Sequence, residues 1–112
     1  MPRDERAYLT DILDACEAIG QAVADLGLEQ YLGNRLVRSA VEREFITIGE
    51  ALRALWKASP DTFARISHSR RIVDFRNQLT HEYATVDDTL VWAIARNDAP
   101  VLLQECRTLL EK

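Results

Sequence analysis

At 112 residues the chain has room for a single domain, residues 1–112, long enough to bury about two-thirds of its unfolded surface without staples. Its 47% hydrophobic and 29% charged residues, with four glycines and three prolines, exclude a disordered or low-complexity chain and make helix the expected class. A formal net charge of −4 excludes nucleic-acid binding through overall charge, so any RNA contact has to come from a local patch.

Asp4 can cap a first helix running to about residue 25, with Leu9, Ile12, Leu13, Cys16, Ile19 and Val23 as an apolar stripe that Tyr8 extends. Gly27 suits a stop, and residues 28–33 read as a connector whose Leu28, Tyr31 and Leu32 cover the end of the core. Asn34 can cap a second helix over residues 35–57, carrying Val37, Val41, Phe45, Ile48, Leu52 and Leu55 at spacings of three and four. Gly49 inside it costs up to ~1 kcal/mol against alanine, which points to a close helix approach, the favoured reading, or to a nearby ligand. Ser59-Pro60-Asp61 starts a short element to about Ile66, and Ser67 or Ser69 then caps the helix that carries Arg76 and its neighbours. The pattern breaks after Glu82, and the segment 85–88 can cap a last helix with Leu90, Val91, Ile94, Val101, Leu102 and Leu109 facing inward. Pro100 removes a backbone hydrogen bond from that helix at a cost of ~3 kcal/mol or more, so a kink near Arg96 or a short break is expected. The expected architecture is an all-α, compact bundle of four to five helices, with Trp56 and Trp92 as core or interface aromatics.

Cys16 and Cys106, with no Cys-x-x-Cys, read as buried apolar thiols in a reducing compartment. No apolar run approaches the ~18 residues of a membrane span. The charged start is unlike a signal peptide, and the expected location is the cytoplasm. With only His68 and His81, no cysteine pair and no glycine-rich phosphate cradle, no metal site or cofactor is expected.

The densest chemistry lies in Arg76-Asn77-Gln78-Leu79-Thr80-His81-Glu82-Tyr83. On a helix Arg76, Thr80 and Tyr83 share one side, while Ile72, Phe75 and Leu79 hold the opposite face to a core. His81, five residues past Arg76, falls ~140° round the axis, so the two side chains meet only if the helix ends there or a second subunit supplies the partner. Taken without further context, Arg76 is a solvated cation, His81 a C-terminal cap and Tyr83 a half-buried aromatic. Arg65, His68, Arg70, Arg71 and Arg76 form a cationic cluster opposed only by Asp74, which suits either a solvated face or an RNA contact. Glu50, beside Gly49, could orient Arg76 or His81.

The pattern Arg76-Asn77, His81, Tyr83 resembles the signature of the HEPN superfamily and its HepT branch. The segment 40–51, ending in Ile48-Gly49-Glu50-Ala51, is similar to the long second helix of HepT proteins, and Val86-Asp87 with Val91-Trp92 to the opening of their last helix. The likeness runs from Tyr8 to Leu110. It implies a HEPN-like helical bundle and a ribonuclease toxin of a type II toxin–antitoxin pair, with a composite active site at a homodimer interface. It also implies a partner, a nucleotidyltransferase antitoxin of the MNT type, which can silence such a toxin by adding AMP to the motif tyrosine, here Tyr83.

Cutting RNA without a metal uses the 2′-hydroxyl as nucleophile, which needs a proton acceptor of near-neutral pKa and a fixed cation beside the phosphorane. His81 and Arg76 fit these catalytic roles, with Asn77, Tyr83 and Glu50 in support and Arg65, Arg70 and Arg71 as RNA contacts. The alternative is a non-catalytic partner subunit that binds nucleotide or RNA beside a nucleotidyltransferase, which the acidic balance favours.

Overall fold

The computed structural model describes residues 4–112, apart from the side chain of Tyr83. Helix α1 spans Glu5–Val23, and the Asp4 carboxylate caps it by accepting from the Arg6 N–H at 3.0 Å. Helix α3 spans Arg35–Ala58, with the Asn34 side chain accepting from the Val37 N–H. Helix α5 spans Ser69–His81, and α6 spans Asp88–Leu110 behind an Asp87 cap that accepts from Thr89 and Leu90. Two five-residue helices, α2 (Leu28–Leu32) and α4 (Pro60–Ala64), and a 3₁₀ turn over Tyr83–Thr85 join the four long ones. The architecture is an all-α bundle, as the periodicity predicts.

α1 packs against both α3 and α6, and α5 packs against α3. The predicted stripes of α1 and α3 form the centre: Leu9, Ile12, Cys16, Ile19 and Val23 are buried with Val41, Phe45, Ile48, Leu52 and Leu55. Phe75 of α5 meets Phe45 of α3 edge to face, ring centroids 5.4 Å apart, and Ile72 and Leu79 are buried beside it. At the far end the Trp92 indole donates to the Leu26 carbonyl, and Arg96 donates to the Val23 carbonyl, fastening α6 to the end of α1.

Four expectations are corrected. Residues 28–32 form a helix, and Gly27 begins it: the Gln30 Oε1 accepts from the Gly27 N–H at 2.9 Å, while Tyr31 drives fully into the core. α5 is preceded by His68 in the left-handed region, φ 59°, where a serine cap is predicted. Both serines have other partners: Ser67 donates from its N–H and hydroxyl to Glu105 of α6, and the Ser69 hydroxyl reaches the Phe63 carbonyl. Of the two outcomes expected at Pro100, the break does not occur: α6 continues as one helix from Asp88 to Leu110. Within it Leu90 and Val101 face solvent, because the buried face follows Val91, Ile94, Ala95, Ala99, Leu102 and Cys106, and both neighbours point ~100° away from it.

Cys16 and Cys106 are buried, free thiols on facing helices. Burial pushes both thiol pKa values up, Cys106 to about 12, and each is further raised by nearby negative charge. Among the described residues no helix is long and apolar enough to cross a membrane.

Candidate active site

The crossing of α3 and α5 is the tightest point near the motif, and Gly49 makes it possible. A Cβ on Gly49 would run into the Arg76 Cβ and lie 2.5 Å from its Cγ. Only a hydrogen fits there, so the glycine predicted to mark close approach does so against the arginine of the motif.

Arg76 is thereby half-buried at its stem and fixed at its head. One terminal nitrogen donates to the Asn77 Oδ1 at 3.0 Å and the other to the Glu50 Oε1 at 3.3 Å. Its Nε is buried with no hydrogen-bond partner among the described residues. A guanidinium offers five N–H donors, so these two bonds orient the plane and leave donors for a ligand. The Thr80 hydroxyl, expected on the same polar stripe, turns back to the Arg76 and Asn77 carbonyls.

His81 is the last residue of α5 and is exposed, while the Glu82 N–H closes the helix on the Gln78 carbonyl. Because α5 stays helical through His81, the imidazole leaves the axis ~140° from Arg76 and ~7.5 Å further along. One chain therefore presents the cation and the imidazole in divergent directions. Tyr83 begins the 3₁₀ turn that follows; its phenol lies outside the described residues.

The three cations predicted to contact RNA separate. The Arg71 guanidinium pairs with Asp98 of α6 at 3.1 Å, which commits it to the α5–α6 side. Arg70 lies over the Trp56 ring at 4.7 Å, on the α3 side. Arg65 is exposed where α4 ends. Trp56 is not a free platform: Phe63 stacks on it at 4.7 Å with ring planes 3° apart, and the Arg70 guanidinium lies over it as well. Beside it a hollow of about 500 Å³ runs between α3 and α5, lined by Arg53, Trp56, Lys57, Val73 and Asn77. Arg53 and Lys57 escaped the sequence reading because they lie far from the motif. Their signal was the 50, 53, 57 spacing, one helix face shared with Glu50 and opened toward α5 by Gly49.

Among the described residues no group of three or more His, Cys, Asp or Glu side chains is arranged to hold a metal ion.

The sequence model of the family described as "Ribonuclease HepT-like" matches residues 12–109. A Methanocaldococcus jannaschii protein carrying the name "Putative RNase MJ1380" is 31% identical over 103 residues, 92% of this chain and 94% of its own length. The protein of Thermococcus cleftensis named "Probable ribonuclease HepT" is 30% identical over 105 residues, 91% of this chain and 92% of that one. No solved structure matches.

Proposed function

Since the chain belongs to the HepT-like ribonuclease family, we propose that it is a metal-independent endoribonuclease in which Arg76 and His81 of two subunits converge on one phosphodiester. The observation that carries this reading is the held guanidinium: Arg76 is fixed by Gly49, Glu50 and Asn77 on the helix that ends in an exposed His81. Fixing a cation before the substrate arrives is how a site stabilises charge that develops only in the transition state.

Imidazole is the side chain whose charge changes near neutral pH. One His81 takes the proton of the 2′-hydroxyl as its oxygen attacks phosphorus. The P–O5′ bond breaks, and the second His81 gives its proton to the leaving oxygen. The products are a 2′,3′-cyclic phosphate and a 5′-hydroxyl, and Arg76 neutralises the dianionic phosphorane between them. A two-fold pair brings both imidazoles into one groove and supplies the convergence that a single helix denies.

In the same reading the enzyme is a cytoplasmic toxin, restrained by an MNT-type nucleotidyltransferase antitoxin that transfers AMP to Tyr83. Tyr83 begins two residues beyond His81, where an added nucleotide would stand in the way of RNA.

The test is cleavage of RNA in excess EDTA by the wild type, His81→Ala and Arg76→Ala, with the product ends identified. The wild type should yield cyclic phosphate ends, and each variant should lose at least about 100-fold in rate. Equal cutting by all three rejects the mechanism. RNA bound but never cut by the wild type favours the non-catalytic partner reading.

A further inference from the structure

The described cations of this acidic protein are unevenly committed. Arg38 pairs with Asp88, Arg71 with Asp98, Arg76 with Glu50 and Arg107 with Glu17. Arg53 and Lys57 have no acidic partner among the described residues, and they lie one helical turn apart on the wall of the α3–α5 hollow. Arg70 comes from α5 to Trp56, which lines the same hollow; its guanidinium lies over that ring and has no ion pair among the described residues. Asn77 lines the hollow from the other side while its Oδ1 holds Arg76. One residue therefore belongs both to the hollow and to the support of the motif arginine.

We infer that the α3–α5 hollow is a backbone-binding subsite for single-stranded RNA, in which Arg53, Lys57 and Arg70 hold phosphates of the strand flanking the scissile bond. This rests on the ribonuclease reading above and names where that substrate lies. From Glu50 to Lys57 the α3 face advances ~10 Å, so the cations extend away from Arg76 as a track. The recognition is of phosphate, not base: Phe63 stacks on Trp56 and the Arg70 guanidinium lies over the same side chain, so the indole is already engaged from within the chain. The contact with Trp56 also restrains the Arg70 head, which suits it to a phosphate more than a free surface arginine. The track offers a chain of net charge −4 a local place to hold a polyanion: Arg53, Lys57 and Arg70 stand together at one groove with no ion-paired acid among the described residues.

The experiment measures binding separately from cutting. A fluorescein-labelled single-stranded RNA of about 20 nucleotides is titrated, by anisotropy, onto His81→Ala protein with and without Arg53→Gln and Lys57→Gln, from 0.1 to 1 M salt. Each phosphate contact on a single strand contributes about 0.7 to the salt slope. Removing two should lower that slope by about 1.4 and weaken binding about 25-fold at 0.1 M relative to 1 M. The swap Arg53→Lys with Lys57→Arg, which keeps both charges, should keep the slope. An unchanged affinity and slope in the double glutamine variant, with its melting temperature intact, overturns the subsite. Loss of slope in the charge-keeping swap as well, with folding intact, also overturns it, because shape and not charge would then be responsible. The ribonuclease reading fails by a different result, equal cutting by wild type and His81→Ala, which the binding titration cannot produce.

Discussion

Arg76 is held by a hydrogen atom as much as by its ion pair. The Gly49 contact is with the Arg76 Cβ and Cγ, the part of the side chain that cannot swing away, so Gly49→Ala forces α3 and α5 apart. Alanine gains up to ~1 kcal/mol of helix propensity, but overpacking costs about 1–3 kcal/mol, and the clash should win. Gly49→Ala is expected to lower the melting temperature and to reduce cleavage beyond what the lost stability explains, checked by thermal melts and rate assays at a temperature where the variant is folded. A second residue has a cost in the native state. Burial lifts the Glu42 carboxyl above its ordinary value near 4.5, with the Asp88 charge adding to the effect and Arg38 opposing it, beside the buried Tyr31 hydroxyl. The folded protein thus binds this proton more tightly than the unfolded chain, and stability falls as pH rises from about 4.5 through the raised value. Glu42→Gln should be more stable than the wild type at pH 7 and indistinguishable from it below about pH 4.5, measured by urea melts across that range. Gly49 was legible as a point of close approach because glycine is costly inside a helix. Its partner was not, since nothing local ties residue 49 to residue 76.

Among the elements, the long helices followed from periodicity and caps: Asp4, Asn34 and the segment before Asp88 stand where side-chain oxygens meet free N–H groups. The short ones were harder, because five residues give too few positions for a period to show. α2 became visible only through Tyr31, whose ring fills a place in the core that a loose connector would leave empty. At the start of α5, tertiary bonds to Glu105 and Phe63 draw Ser67 and Ser69 away from capping, and His68 takes the left-handed turn instead. That conformation costs a non-glycine residue roughly 1–2 kcal/mol, part of which glycine would return as unfolded-state entropy. His68→Gly is expected to stabilise the protein by about 0.5–1 kcal/mol in denaturant melts while leaving cleavage intact. In α6, of the kink or break expected at Pro100 the break is absent: the exposed ring removes one backbone bond, and the buried Ala99 and Leu102 hold the run together.

At the scale of the molecule, the bundle keeps its two thiols on the α1–α6 side and its candidate chemistry on the α3–α5 side. Cys16 and Cys106 should resist Ellman's reagent in the native protein and react fully once it is unfolded; fast labelling of either in native buffer would contradict their burial and raised pKa values. The fold class and most of the core were readable because both depend on repetition along the chain. That Glu50 meets Arg76 and not His81, the two partners its position left open, and that Arg70 and Arg71 separate onto two sides of α5, depend on which helix lies beside which. The Gly49 crossing also constrains descent. A lineage that keeps a guanidinium at position 76 can give up the bare backbone at 49 only by spreading the two helices, because every charged side chain brings with it the carbon that Gly49 makes room for.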